Sequence, residues 1–129
     1  MKIRSWIIFK AWVDMITGLG FLLFPTQGII IWGAETDPTA IAFARFFGQV
    51  MFLLGLMLWM LRNVHDARVH KAVASAVVVG DAVGFIITIR ETLEGNINAL
   101  GWAIAALFLV LVLGFGYILL RTPEPVTTP

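Results

Sequence analysis

The sequence predicts an all-α integral membrane bundle of four transmembrane helices with both termini in the cytoplasm, and three observations carry that expectation. The first is composition: of 129 residues, 60% are apolar and 13% charged, where an average soluble chain is roughly a quarter charged. A soluble domain this short needs a polar surface larger than so few charges could cover. The second is the presence of four apolar stretches, over about 5–24, 39–61, 71–89 and 100–120. Each is long enough to cross a bilayer core of about 30 Å, which takes ~20 helical residues. The third is the lack of strand-like alternation in runs of ~10 residues, of which a membrane barrel would need at least eight. One domain therefore spans 1–121, and a proline-bearing tail over 122–129 is expected to be disordered.

The elements follow in order. Met1-Lys2-Ile3-Arg4 and the apolar run after it resemble a secretion signal, but Lys10 and Asp14 interrupt the run. Phe24-Pro25-Thr26-Gln27 offers no small-x-small cleavage site, so a retained first helix ending at Pro25 is expected. The connection to Pro38 carries Ile29-Ile30-Ile31-Trp32, a patch suited to the membrane interface. Asp37-Pro38 then opens the second helix, an acidic cap followed by a proline suited to the first turn. Arg62 to His70 reads as a tight polar turn, and Gly95-Asn96 marks a turn before the fourth helix. That last helix is the cleanest span, with no charge between Glu94 and Arg121.

Direction comes from the basic residues. Lys2, Arg4, Arg62, Arg68, Lys71 and Arg121 fall on one side of the alternating spans, and only Arg90 on the other. Short loops rich in Lys and Arg stay in the cytoplasm, which places the chain in the cytoplasmic (inner) membrane with N and C termini inside. Trp6, Trp59 and Tyr117 then fall at the inner boundary, with Trp32 and Trp102 at the outer one, as amphipathic rings favour the headgroup level.

Ionisable groups inside the spans cost about 2.5–3.5 kcal/mol each near a helix centre. Asp14 and Asp81 each lie about ten residues into an outward-running helix, at ~1.5 Å per residue, and should share a level. Gln49 should fall within roughly one turn of them, with Arg45 one turn further out on the same helix face. The expected arrangement is a buried cluster of Asp14, Arg45, Gln49 and Asp81. Lys10 either pairs with Asp14 one turn away or extends to the cytoplasmic interface. Such a cluster could fix which helices are neighbours, could bind a headgroup, proton or ligand, or could be completed by a partner subunit.

Ala72, Ala76, Gly80 and Gly84 recur every four residues on the third span, and Gly48 and Gly55 notch the second. Small residues at this spacing let helices approach closely in lipid, within the chain or between subunits. His65 and His70 flank a solvated turn without a third ligand, and with no cysteine present a metal centre is not indicated. Gly-rich phosphate loops, Ser–His–Asp orders and HExxH are missing, so no motif points to catalysis or requires a cofactor. A net charge of +1 gives no reason to expect nucleic acid.

Leu23-Phe24-Pro25, Arg45-x-x-Gly48 with Gly55-Leu56, Asn98-x-x-Gly101-Trp102 and Gly114-Phe115-Gly116-Tyr117 occur in this order. Together they resemble the small four-helix bacterial membrane proteins of unknown function near the DoxX-like group. That resemblance implies an accessory subunit, since some DoxX-like proteins belong to quinone-linked oxidoreductases, and it transfers no catalytic residue. Two functions follow as expectations. One is a non-catalytic subunit of a larger redox or energy-transducing membrane complex, whose partners are the bilayer and other membrane subunits or further copies. The other is an oligomeric carrier or binder of a quinone, lipid or organic cation at the Asp/Arg cluster. An enzyme using that cluster as acid and base ranks behind both.

Overall fold

The computed structural model describes residues 2–121, so the tail over 122–129 lies outside the described residues. The chain runs through five helices: α1 (Ile3–Leu23), α2 (Pro25–Ile30), α3 (Pro38–Leu61), α4 (Ala67–Leu93) and α5 (Leu100–Arg121). Among the described residues there is no strand, and α1, α3, α4 and α5 are each long and apolar enough to cross a membrane. The protein is a multi-pass membrane helix bundle.

The four expected spans are present, and the short α2 is an addition to them. Phe24 leaves the helical region (φ −129°, ψ 59°), and Pro25 starts the short α2 from its first turn, where a missing N–H costs nothing. Half of the apolar patch, Ile29 and Ile30, therefore belongs to α2, while Ile31 and Trp32 lie in the turn that follows, which closes at Gly33 with a positive φ of 78°. α3 begins as its sequence indicates, with Asp37 Oδ1 accepting from the Ala40 N–H at 2.8 Å. α4 extends past its apolar stretch at both ends. Asp66 accepts from the Arg68 N–H and caps its start, and an Arg90–Glu94 pair one turn apart supports its last turn. Gly95, at φ 79°, then lets the Asn96 N–H reach back to the Glu91 carbonyl and close α4.

Packing divides the bundle into two antiparallel hairpins, α1 with α3 and α4 with α5. The α1 seam is Ile7, Ala11, Asp14 and Gly18; that of α3 is Ala44, Gly48, Gly55 and Leu58. Both repeat at spacings of three, four or seven, the period of two helices crossing at a shallow angle. α1 meets α5 where the Trp6 ring lies over Gly114 and against Phe115, centroids 6.1 Å apart. Between the hairpins lies the core: Ile7, Ala11, Leu58, Ala74, Val77, Leu111 and Phe115. These residues all come from the half of the bundle nearest Arg4, Arg62, Arg68 and Arg121. That basic end is tied by Arg4 Nε donating to Asn63 Oδ1. At the opposite, acidic end, Asn98 Nδ2 donates to the Ile31 carbonyl at 2.8 Å and the Asn98 N–H to Trp32.

Candidate functional site

Just beyond the core toward the middle of the bundle, three charged side chains meet. Lys10 Nζ lies 3.2 Å from Asp14 Oδ1 and 3.4 Å from Asp81 Oδ1. Lys10 and Asp14 are one helical turn apart, so α1 itself sets their pairing. Asp81 comes from the middle of α4, on the buried row Ala74, Val77, Asp81 and Thr88. One ammonium thus links the two hairpins. The side chains of Asp14 and Asp81 are only 2% and 9% exposed, and Lys10 is 11% exposed.

The arrangement leaves two deficits. Two carboxylates face one ammonium, so with all three ionised the cluster carries one uncompensated negative charge. The second oxygens, Asp14 Oδ2 and Asp81 Oδ2, are buried and have no hydrogen-bond partner. A buried acceptor without a donor costs on the order of 1–3 kcal/mol, and more when charged. Both aspartates line a cavity of about 280 Å³ in the cleft between α1, α3 and α4. Its remaining walls are apolar or small: Leu54, Met57, Leu58 and Leu61 from α3, and Val73, Ala76, Val77 and Gly80 from α4. Consecutive α3 and α4 do not pack closely, and Leu54, Met57, Ala76 and Gly80 are exposed. The cleft therefore opens on the flank of the bundle, where a bilayer would lie, rather than at either end.

Of the four residues expected to cluster, the fold brings together Asp14 and Asp81 and leaves out Arg45 and Gln49. Both stand on the exposed face of α3. Each follows a seam residue, Ala44 or Gly48, and so is turned about 100° away from α1, at 3.6 residues per turn. Their depth differs as well. Gly48 packs against Gly18 and the Phe21–Leu22 backbone, which puts Gln49 more than a turn from Asp14 and Arg45 level with the last turn of α1. α3 starts well beyond the end of α1, so counting from helix starts misplaces its residues. Lys10 takes the role expected of Arg45.

The small residues also divide. Gly48 and Gly55 make the close contacts expected of them, against Gly18 and against Met15 with Ala11. Gly84 lies against the Phe108 ring of α5, about 2.9 Å from where a Cβ would stand. Ala72, Ala76 and Gly80 are exposed, and a Cβ on Gly80 would meet no atom within 4 Å. They form an open face beside the cleft, since α4 packs on α5 through the neighbouring row that holds Asp81. The glycine notches that sequence reasoning missed are Gly18, Gly101 and Gly114, which receive Gly48, Thr92 and Trp6. The signal was weak for Gly18 and Gly114, which have no small residue four positions away in the same helix, whereas Gly101 has Ala105 there. Comparison with protein-family models, curated proteins and solved structures finds no match for this chain.

Proposed function

We propose that this is a non-catalytic protein of the cytoplasmic membrane, both termini inside, that binds an amphipathic molecule in the cleft between α3 and α4. The observation behind the reading is the pairing of two orphaned, buried carboxylate oxygens with an apolar cavity that opens sideways. Pockets for small molecules have this make-up, mostly apolar walls with a few convergent polar groups. A polar head would lie at Asp14, Asp81 and Lys10, and an apolar body along Leu54, Met57 and Val77. Intramembrane ionisable residues mark ligand or ion sites often enough to favour this over a purely architectural role. Orientation is supported by the basic end, which carries Lys2, Arg4, Arg62, Arg68, Lys71 and Arg121, against Arg90 in the connections of the other end and Arg45 inside α3 near it.

The open face Ala72, Ala76 and Gly80 favours a second reading, an accessory subunit seated against a helix of another membrane protein. The DoxX-like resemblance leans the same way. Native mass spectrometry of the protein released from its own membrane separates the two. A bound species of a few hundred daltons that disappears with Asp14→Asn plus Asp81→Asn supports the cleft as a ligand site. A co-purifying polypeptide lost on Gly80→Leu supports the subunit. A bare chain, alone or as a homodimer, counts against both.

A further inference from the structure

The cleft's charge and hydrogen-bond counts specify its ligand more closely. The titratable groups that face the cleft are Lys10 and Asp14 from α1 and Asp81 from α4. α3 contributes only Leu54, Met57, Leu58 and Leu61, and the α5 residues beneath, Leu111 and Phe115, carry no charge. The deficit is therefore one positive charge. Orphaned Asp14 Oδ2 and Asp81 Oδ2 are acceptors, and what they lack is a donor. A neutral ligand with only acceptor oxygens would leave both deficits in place, and an anion would enlarge the first. A cation without N–H groups would meet the charge but not the hydrogen bonds. An ammonium with N–H donors meets both, and charge-assisted hydrogen bonds of this kind are about twice as strong as neutral ones.

Size and access narrow the choice further. The cavity's roughly 280 Å³ lies at the lower end of the range for small-molecule pockets, about 300–1,000 Å³. It fits a head and its first carbons, with the remaining chain lying between exposed Leu54 and Met57 of α3 and exposed Ala76 and Gly80 of α4, in lipid. Without a ligand, the same unit of charge is supplied by a proton on one of the two carboxylates, since an ion left unbalanced in the interior costs several kcal/mol. Proton and cation then compete for one place.

We infer that the Lys10–Asp14–Asp81 cleft binds an alkylammonium-type monocation and exchanges it for one proton. This rests on the cleft being a ligand site. On binding, the ammonium N–H groups turn to Asp14 Oδ2 and Asp81 Oδ2, and the proton held there leaves to water. No covalent bond changes. Lys10 keeps both carboxylates in place and limits the site to one added charge.

The test uses the full chain in lipid nanodiscs, with empty nanodiscs as the reference for partition into lipid. Titration calorimetry with decylammonium, in two buffers of different ionisation enthalpy, reads affinity and protons released together. Decyltrimethylammonium, decanol and decanoate serve as matched probes with charge alone, no charge and opposite charge. The expected result is protein-dependent binding of decylammonium with up to one proton released. Affinity should fall by as much as tenfold for each unit by which the pH is lowered through the range where that proton binds, and each matched probe should bind at least tenfold more weakly. Asp14→Asn and Asp81→Asn each leave one Lys–Asp pair, and each should abolish the proton release and weaken decylammonium at least tenfold. Circular dichroism identifies any variant that has lost its fold, and the other then decides. Equal binding of decyltrimethylammonium overturns the need for N–H donors, and binding without proton release overturns the exchange. Carboxylate-dependent binding of decanol or decanoate in preference to decylammonium overturns the cation while leaving a ligand site. Binding of no probe that responds to either substitution removes the ligand site itself.

Discussion

Gly18 and Gly48 face each other across the seam between α1 and α3 so closely that a Cβ on either would stand 2.7 Å from the other's carbonyl oxygen. Neither neighbour can yield, because each is backbone held in a helix. Gly48→Val should therefore force the hairpin apart. Overpacking of this kind costs roughly 1–3 kcal/mol, read as a lower unfolding temperature in detergent or nanodiscs. Gly80→Ala, on a face where a Cβ meets nothing within 4 Å, should stay within about 0.5 kcal/mol of the parent. Equal losses in the two variants would refute the seam.

Lys10 holds two carboxylates that have little else. Replacing it with Met leaves Asp14 and Asp81 buried together without a counter-charge, and loss of one partner of a buried ion pair costs about 3–5 kcal/mol. Adding Asp14→Leu and Asp81→Leu to Lys10→Met should recover most of that loss. The check is a set of unfolding curves for the single and triple variants. If Lys10→Met alone unfolds like the parent, the ammonium is not the link between the hairpins.

Arg45 carries the same charge but stands on an exposed face. Arg45→Leu should change stability by no more than about 0.5 kcal/mol and should leave decylammonium binding as it is. A loss comparable with that of Lys10→Met would return Arg45 to the cluster.

At the acidic end Asn98 joins the turn after α2 to the start of α5, donating to the Ile31 carbonyl and accepting from the Leu100 N–H at 3.0 Å. Asn98→Ala should cost about 1 kcal/mol, as hydrogen bonds of ordinary strength do. Its signature is local: faster amide hydrogen exchange around Trp32, Gly33 and Leu100, with α1 and α4 unaffected. Faster exchange throughout the bundle would contradict it.

The orientation is open to direct measurement because the chain has no cysteine of its own. Asn63→Cys sits in the turn at the basic end and Asn96→Cys in the turn at the acidic end, both exposed. A membrane-impermeant maleimide added outside intact cells should label Asn96→Cys and spare Asn63→Cys. The reverse pattern would invert the proposed topology.

The spans are legible in the sequence because each sums a transfer preference over some twenty residues, so no single side chain decides it. The caps at Asp37 and Gly95 are legible because the acceptor and the positive φ they supply are local needs. The rotation of a helix about its own axis is another matter. On α3 the choice between the Ala44–Gly48 row and the Arg45–Gln49 row is made by what α1 offers opposite, namely Ala11, Met15 and Gly18. Before Gly18 is known to receive Gly48, polarity argues for turning Arg45 inward and small size argues for turning Gly48 inward. Size decided it. On α4 the four-residue recurrence Ala72, Ala76, Gly80 pointed to one face, while packing follows Ala74, Val77, Asp81 and Thr88, nearer the 3.5-residue period. Half of the expected cluster, Asp14 with Asp81, survived because both come from helices that start at the same end of the bundle and run the same way, so counting along each gives the same depth.

The two bonds of Lys10 differ in when they can form during synthesis. Its pairing with Asp14 lies within a single turn of α1, so the first span can leave the ribosome and enter lipid as an already neutral pair. Asp81 is made some seventy residues later and arrives in the membrane without a counter-ion. Its only relief among the described groups lies on the hairpin already in place. An unpaired charge in hydrocarbon is a strong incentive to move, and it acts only at one depth and on one side of α1. The second hairpin is thus favoured in its docked position by a residue whose cost in lipid is relieved only when the two hairpins meet.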